Sequence, residues 1–84
     1  MIRILWFAWL RQRVGVAEEE LSLPAEVTDV GGLIAWLSSI DPKHAAALDR
    51  PALVRCAINQ VFAKLTDTVR AGDEVALFPP VTGG

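Results

Sequence analysis

The chain has 84 residues, 52% of them hydrophobic, with a formal net charge of −2 at pH 7. That is one small domain's length with ample apolar material, which excludes a disordered segment, and its eight scattered Lys and Arg residues exclude a nucleic-acid surface. Its one cysteine, Cys56, excludes an internal disulfide and an iron–sulfur ligand set, and fits a reducing, cytoplasmic setting.

Residues 2–10 read as a β-strand of Ile, Leu, Trp and Phe. Alternation places Ile2, Ile4, Trp6 and Ala8 on a core face and Arg3, Leu5, Phe7 and Trp9 on the other. The apolar run Ile4 to Leu10 is too short to span a bilayer, and Arg11-Gln12-Arg13 stands where a signal peptide carries small residues, so no membrane or targeting segment is expected. Gly15 marks a turn, and Glu18 to Leu23 forms a second strand before Pro24. Thr28-Asp29 opens a helix, a hydroxyl and a carboxylate being suited to free N–H groups, with Val30, Leu33, Leu37 and Ile40 as its core stripe. Gly31-Gly32 sits awkwardly there. Asp41-Pro42 starts a short helix running to about Leu48.

Ala52 to Ile58 reads as a third strand, Asn59-Gln60 as a turn, and Val61 to Leu65 as a short fourth strand. Arg70 to Asp73 turns the chain into a last strand, Glu74 to Phe78, with Val75 and Leu77 inward and Ala76 and Phe78 outward. Pro79-Pro80 ends pairing and favours an extended exit. The order predicts an α+β domain over residues 1–84: a β-grasp arrangement, one main helix on one face of a mixed sheet, first and last strands adjacent and parallel. Other small α+β folds share this order. Residues 79–84 are expected to form a flexible tail.

Conventional catalytic groupings are missing, so no active site and no bound metal are expected. His44, beside Lys43, reads as a solvated surface group; Glu18-Glu19-Glu20 reads as a solvated acidic edge; Cys56 reads as a small core filler. More informative is the ending, Gly83-Gly84. Without Cβ atoms it is the thinnest peptide that can thread a narrow channel, and its carboxylate stands at the very tip. Leu5, Phe7, Ala76 and Phe78, with Phe62, are expected to form an apolar patch on the sheet face away from the helix, the kind of surface that takes a partner.

Ile4-Leu5-Trp6-Phe7-Ala8 with the Arg11 to Gly15 turn resembles the opening of the molybdopterin synthase small-subunit family. Ala57-Ile58-Asn59-Gln60 and the closing run Ala71-Gly72-Asp73-Glu74-Val75-Ala76-Leu77-Phe78-Pro79-Pro80-Val81-Thr82-Gly83-Gly84 resemble it more closely still. The resemblance implies a ubiquitin-like β-grasp sulfur carrier of molybdenum-cofactor synthesis, with Gly83 and Gly84 as the reacting end. It also implies two partners, a ubiquitin-activating-type adenylating enzyme that uses ATP and the large catalytic subunit of the synthase, in a heterotetramer. Phe7, Phe62 and Phe78, with Pro79, Pro80, Val81 and Thr82, would meet those partners. Readings left open are a carrier for thiamine or tRNA thiolation, a ubiquitin-like protein modifier, and a non-catalytic β-grasp binding module.

Overall fold

The computed structural model describes residues 1–80, so the predicted tail residues Val81, Thr82, Gly83 and Gly84 lie outside the described residues. Strand β1 (Ile2–Trp6) is followed by helix α1 (Ala8–Val14) and strand β2 (Glu18–Leu21). Helices α2 (Val30–Ser38) and α3 (Pro42–Ala47) come next, then a 3-10 turn (Pro51–Leu53) and strands β3 (Arg55–Ile58), β4 (Val61–Ala63) and β5 (Glu74–Phe78). The sheet order is β2-β1-β5-β3-β4, with β1 and β5 parallel and the other pairs antiparallel. This is the expected α+β β-grasp layout.

Period-two burial builds one face of the sheet. Ile2, Ile4 and Trp6 from β1, Cys56 from β3, and Val75 and Leu77 from β5 are buried together. Against them pack Leu10 and Val14 of α1, Val30, Leu33, Ile34 and Leu37 of α2, and Ala47 of α3. Burying such side chains is the main favourable contribution to the fold, about 1.5–3 kcal/mol for each large one.

The turns follow local chemistry. Asn59 and Gln60 both take positive φ, 50° and 70°, which is the mirror-image turn whose twist matches a tight hairpin. The Asn59 side chain also joins the start of β5: its Oδ1 accepts from the Glu74 amide and its Nδ2 donates to Asp73, each at 3.0 Å. Asp29, rather than Thr28, caps α2 by accepting from the Gly32 amide at 2.7 Å. Of the two awkward glycines, Gly32 has a steric reason. A Cβ on Gly32 would stand 3.1 Å from that capping oxygen, while the Gly31 amide donates to the Leu65 carbonyl at 2.9 Å.

Several expectations are corrected. The first strand ends at Trp6, not at residue 10, because Ala8 takes φ 55° and the chain turns into α1, a helix the apolar run had concealed. Ala8, expected in the core, is therefore exposed, and Leu10 is buried from a helix instead. The second strand ends at Leu21 and the fourth at Ala63, and the third begins at Arg55 after the 3-10 turn that Pro51 opens. Ile40 lies beyond the end of α2 and is exposed; Ile34 takes its place in the buried stripe.

Candidate functional site

The outer face of the sheet is set by the residues that alternate with the buried ones. The register lines up Leu5, Ala76, Ala57 and Phe62 as one row across β1, β5, β3 and β4. The next row pairs Phe78 with Arg55, and Phe7 follows β1 beside Phe78, its amide donating to the Leu77 carbonyl at 3.1 Å. Ala57 and Ala76 make a low floor. Over it the Phe62 ring reaches Phe78, with centroids 5.9 Å apart and the planes tilted by 51°. Such a tilted pair is a favourable aromatic geometry.

Exposure distinguishes this cluster from a second core. Phe62 is 81% exposed and Phe7 47% exposed, while Phe78 is half-buried between its neighbours. Phe62 and Phe78 are thus in contact, and Phe7 stands alongside as the residue that follows the neighbouring strand. Pro79 and Pro80 continue from Phe78, so the aromatic end of this face is the end from which the chain leaves the sheet.

The face is divided by charge. At its far end Arg3 pairs with Glu18 at 3.8 Å and with Glu74 at 3.9 Å, both on neighbouring strands. At the aromatic end the guanidinium of Arg55 donates to the carbonyls of Ala52 at 3.0 Å and Val54 at 3.4 Å, which holds it beside the patch. An apolar surface with a charged border is the anatomy of a protein-docking site.

Of the other residues singled out in the sequence, Cys56 is where it was expected, and His44 and Glu19 are not. Cys56 is buried in the core, and burial, with the Asp67 carboxylate adding to it, pushes its thiol up to about 11. A thiol so placed is protonated at neutral pH and is a poor nucleophile. His44 is not a solvated surface group: it is buried, with Nδ1 2.9 Å from Asp41 Oδ1 and Nε2 2.7 Å from Glu19 Oε2. Nor is Glu19 part of a solvated acidic edge, since the Trp6 indole N–H also donates to it at 2.7 Å. The one sequence cue was that Glu19 shares the inward parity of Leu21, opposite Ile4 in the β1–β2 register. Among the described residues no helix is long and apolar enough to cross a membrane.

Comparison with known proteins follows the same outline. The ThiS family model matches residues 4–84. The molybdopterin synthase sulfur carrier subunit of Haemophilus influenzae is 37% identical over 84 residues, covering 100% of both chains. Among solved structures, a Pyrococcus furiosus protein described as a candidate subunit 1 of molybdopterin converting factor is 31% identical, with a TM-score of 0.75 over 95% of this chain and 97% of that one. A chain from the complex of subunits 1 and 2 of molybdopterin-converting factor of Helicobacter pylori, 20% identical, shares the fold with a TM-score of 0.62 over 99% of this chain and 97% of that one. With a family match from residue 4 to residue 84 and relatives aligned end to end, the chain belongs to the ThiS family.

Proposed function

We propose that this chain carries sulfur to a pterin precursor as the small subunit of a molybdopterin synthase, with the terminal carboxyl of Gly84 as the carrying group. The observation that carries this reading is the full-length match to sulfur carrier subunits. Two features support it. The exposed Phe7, Phe62 and Phe78 patch lies on the sheet end that leads into Pro79 and Pro80. The chain's one thiol, Cys56, is buried and protonated, which makes it unsuited to carrying sulfur.

The chemistry follows from the carboxyl group. With a pKa near 3.5 a terminal carboxyl is an anion at neutral pH, and an anion resists attack at its own carbon. An adenylating partner using ATP converts it to an acyl-adenylate and releases pyrophosphate. A donor of sulfur at the sulfide oxidation level attacks the carbonyl carbon, AMP leaves, and Gly84 ends as a thiocarboxylate. Its sulfur is a soft nucleophile that attacks an electrophilic carbon of the precursor in the large subunit, forming a C–S bond as an oxygen leaving group departs from that carbon. Water then cleaves the bond from sulfur to the glycyl carbonyl and restores the carboxylate. Bases and oxyanion donors come from the partners. The aromatic patch holds the body, and residues 79–84, at most about 20 Å long, deliver the end.

Intact-mass measurement after incubation with the cognate adenylating enzyme, ATP and a sulfide source tests this reading. One oxygen replaced by sulfur is the expected result, and a chain lacking Gly84 shows no such change. No replacement, together with undiminished function of the shortened chain, overturns the proposal and leaves a binding module.

A further inference from the structure

The cluster around His44 has no part in sulfur transfer as described. His44 is 6% exposed, and each of its ring nitrogens faces a carboxylate oxygen, of Asp41 and of Glu19. Ionised carboxylates only accept, so an imidazolium, with a proton on each nitrogen, is the form of the ring that satisfies both contacts. Glu19 Oε2 takes two bonds, from this ring and from the Trp6 indole, both at 2.7 Å. Trp6 also meets His44 edge-on, with centroids 5.5 Å apart. Strand β2 and helix α3 are thereby tied to the last residue of β1.

That residue adjoins a strained corner. Phe7 is extended, but Ala8 takes φ 55°, a region that a residue with a Cβ occupies only where its neighbours over-determine it. The Trp6 amide is held by the Ala17 carbonyl at 2.8 Å and the Phe7 amide by Leu77 at 3.1 Å. The Trp6 side chain is held by the cluster. We propose that Glu19, His44 and Asp41 form a proton-dependent clasp that, through the Trp6 indole, fixes the β1–α1 corner and so positions Phe7 for docking a partner protein. The inference rests on the reading of the aromatic face as the docking surface.

Among the described residues the ionisable surroundings are few. From α3 comes Lys43, with Asp41 as that helix's N-cap; from β2, Glu19, with Glu18 and Glu20 on the opposite face; β1 offers the uncharged Trp6. Helix α1 brings Arg11 and Arg13, the latter donating to the Ala46 carbonyl at 3.2 Å and pairing with Asp49 at 3.7 Å. Helix α2 contains no ionisable side chain. Burial opposes the imidazolium charge, and the hydrogen bonds to Asp41 and Glu19 outweigh it, so the ring holds its proton above its ordinary 6.5. Loss of that proton turns one nitrogen's lone pair against a carboxylate oxygen and opens one side of the clasp.

The test measures the affinity of the full chain for the large synthase subunit by calorimetry, from about pH 6 to about pH 9, a range that brackets histidine titration. Wild-type binding is expected to weaken about tenfold as the ring deprotonates, beyond the change seen for His44→Gln. The Trp6 indole resonance should shift with the same midpoint as the His44 ring nitrogens, with Trp9 and Trp36 as internal references. Glu19→Gln, which keeps an acceptor for the indole, should move that midpoint to lower pH. Equal pH profiles for wild type and His44→Gln, or a Trp6 signal indifferent to His44, overturn the clasp. If Phe78→Ala binds as tightly as wild type, it is the docking face that fails.

Discussion

Phe62 projects from a three-residue edge strand, and its ring gives up little besides Phe78 when removed. Phe62→Ala is therefore expected to change stability by no more than about 0.5 kcal/mol, as exposed positions do, while weakening partner affinity about tenfold or more. A thermal melt set beside a binding isotherm separates the two effects; a large loss of stability with unchanged affinity contradicts the docking role. Cys56 makes the opposite case. With its thiol pushed up to about 11, the native chain should resist iodoacetamide at neutral pH and react only when unfolded, as timed alkylation followed by mass spectrometry will show. Rapid labelling of the folded chain would place the thiol elsewhere. The outward parity of Phe78 and the inward parity of Cys56 were legible from their strands. His44 was not, because its partner Glu19 lies 25 positions away, and the inward parity of Glu19 does not say which residue meets it.

Helix α2 depends on a single cap, Asp29, and α1 ends at Gly15 with φ 94°. Asp29→Ala should cost about 1 kcal/mol, typical of a lost N-cap, and Gly15→Ala about 1 kcal/mol, because a Cβ disfavours that conformation. Urea denaturation of the two variants measures both; unchanged midpoints would mean that tertiary packing alone sets these helix ends. The caps and turns were readable because each uses chemistry within four residues of itself. Helix α1 was hidden: Ile4 to Leu10 is apolar throughout, so the change from period two to helical period leaves no mark in hydrophobicity, and Ala8 gives no hint of a positive φ.

Taken together, the two sheet faces separate duties: one fills the core with the helices, the other offers the Phe7, Phe62 and Phe78 patch. The His44 cluster joins elements on the core side and makes stability depend on pH. His44 has a folded pKa above its ordinary 6.5, so its contribution is complete below pH 6.5 and is lost as pH rises through the raised value. Asp41 has a pKa below its ordinary 3.8, held down first by the His44 backbone amide and then by the His44 ring; its contribution is complete above pH 3.8 and is lost as pH falls through the lowered value. Both contributions are whole between pH 3.8 and 6.5. Melting temperatures across pH should therefore fall on the alkaline side in wild type and stay flatter there in His44→Gln. Parallel curves would show that the cluster holds no linked proton.

Strand alternation, caps, the Asn59-Gln60 turn and the family ending can be recognised by reading along the chain, because each is encoded by neighbours a few positions apart. The union of Phe62 with Phe78 across β3, the strained corner at Ala8 and the His44–Glu19 bond exist only once strands are in register and helices packed. Those contacts join distant segments, and the free energy that selects them comes from burying the shared core rather than from any local preference.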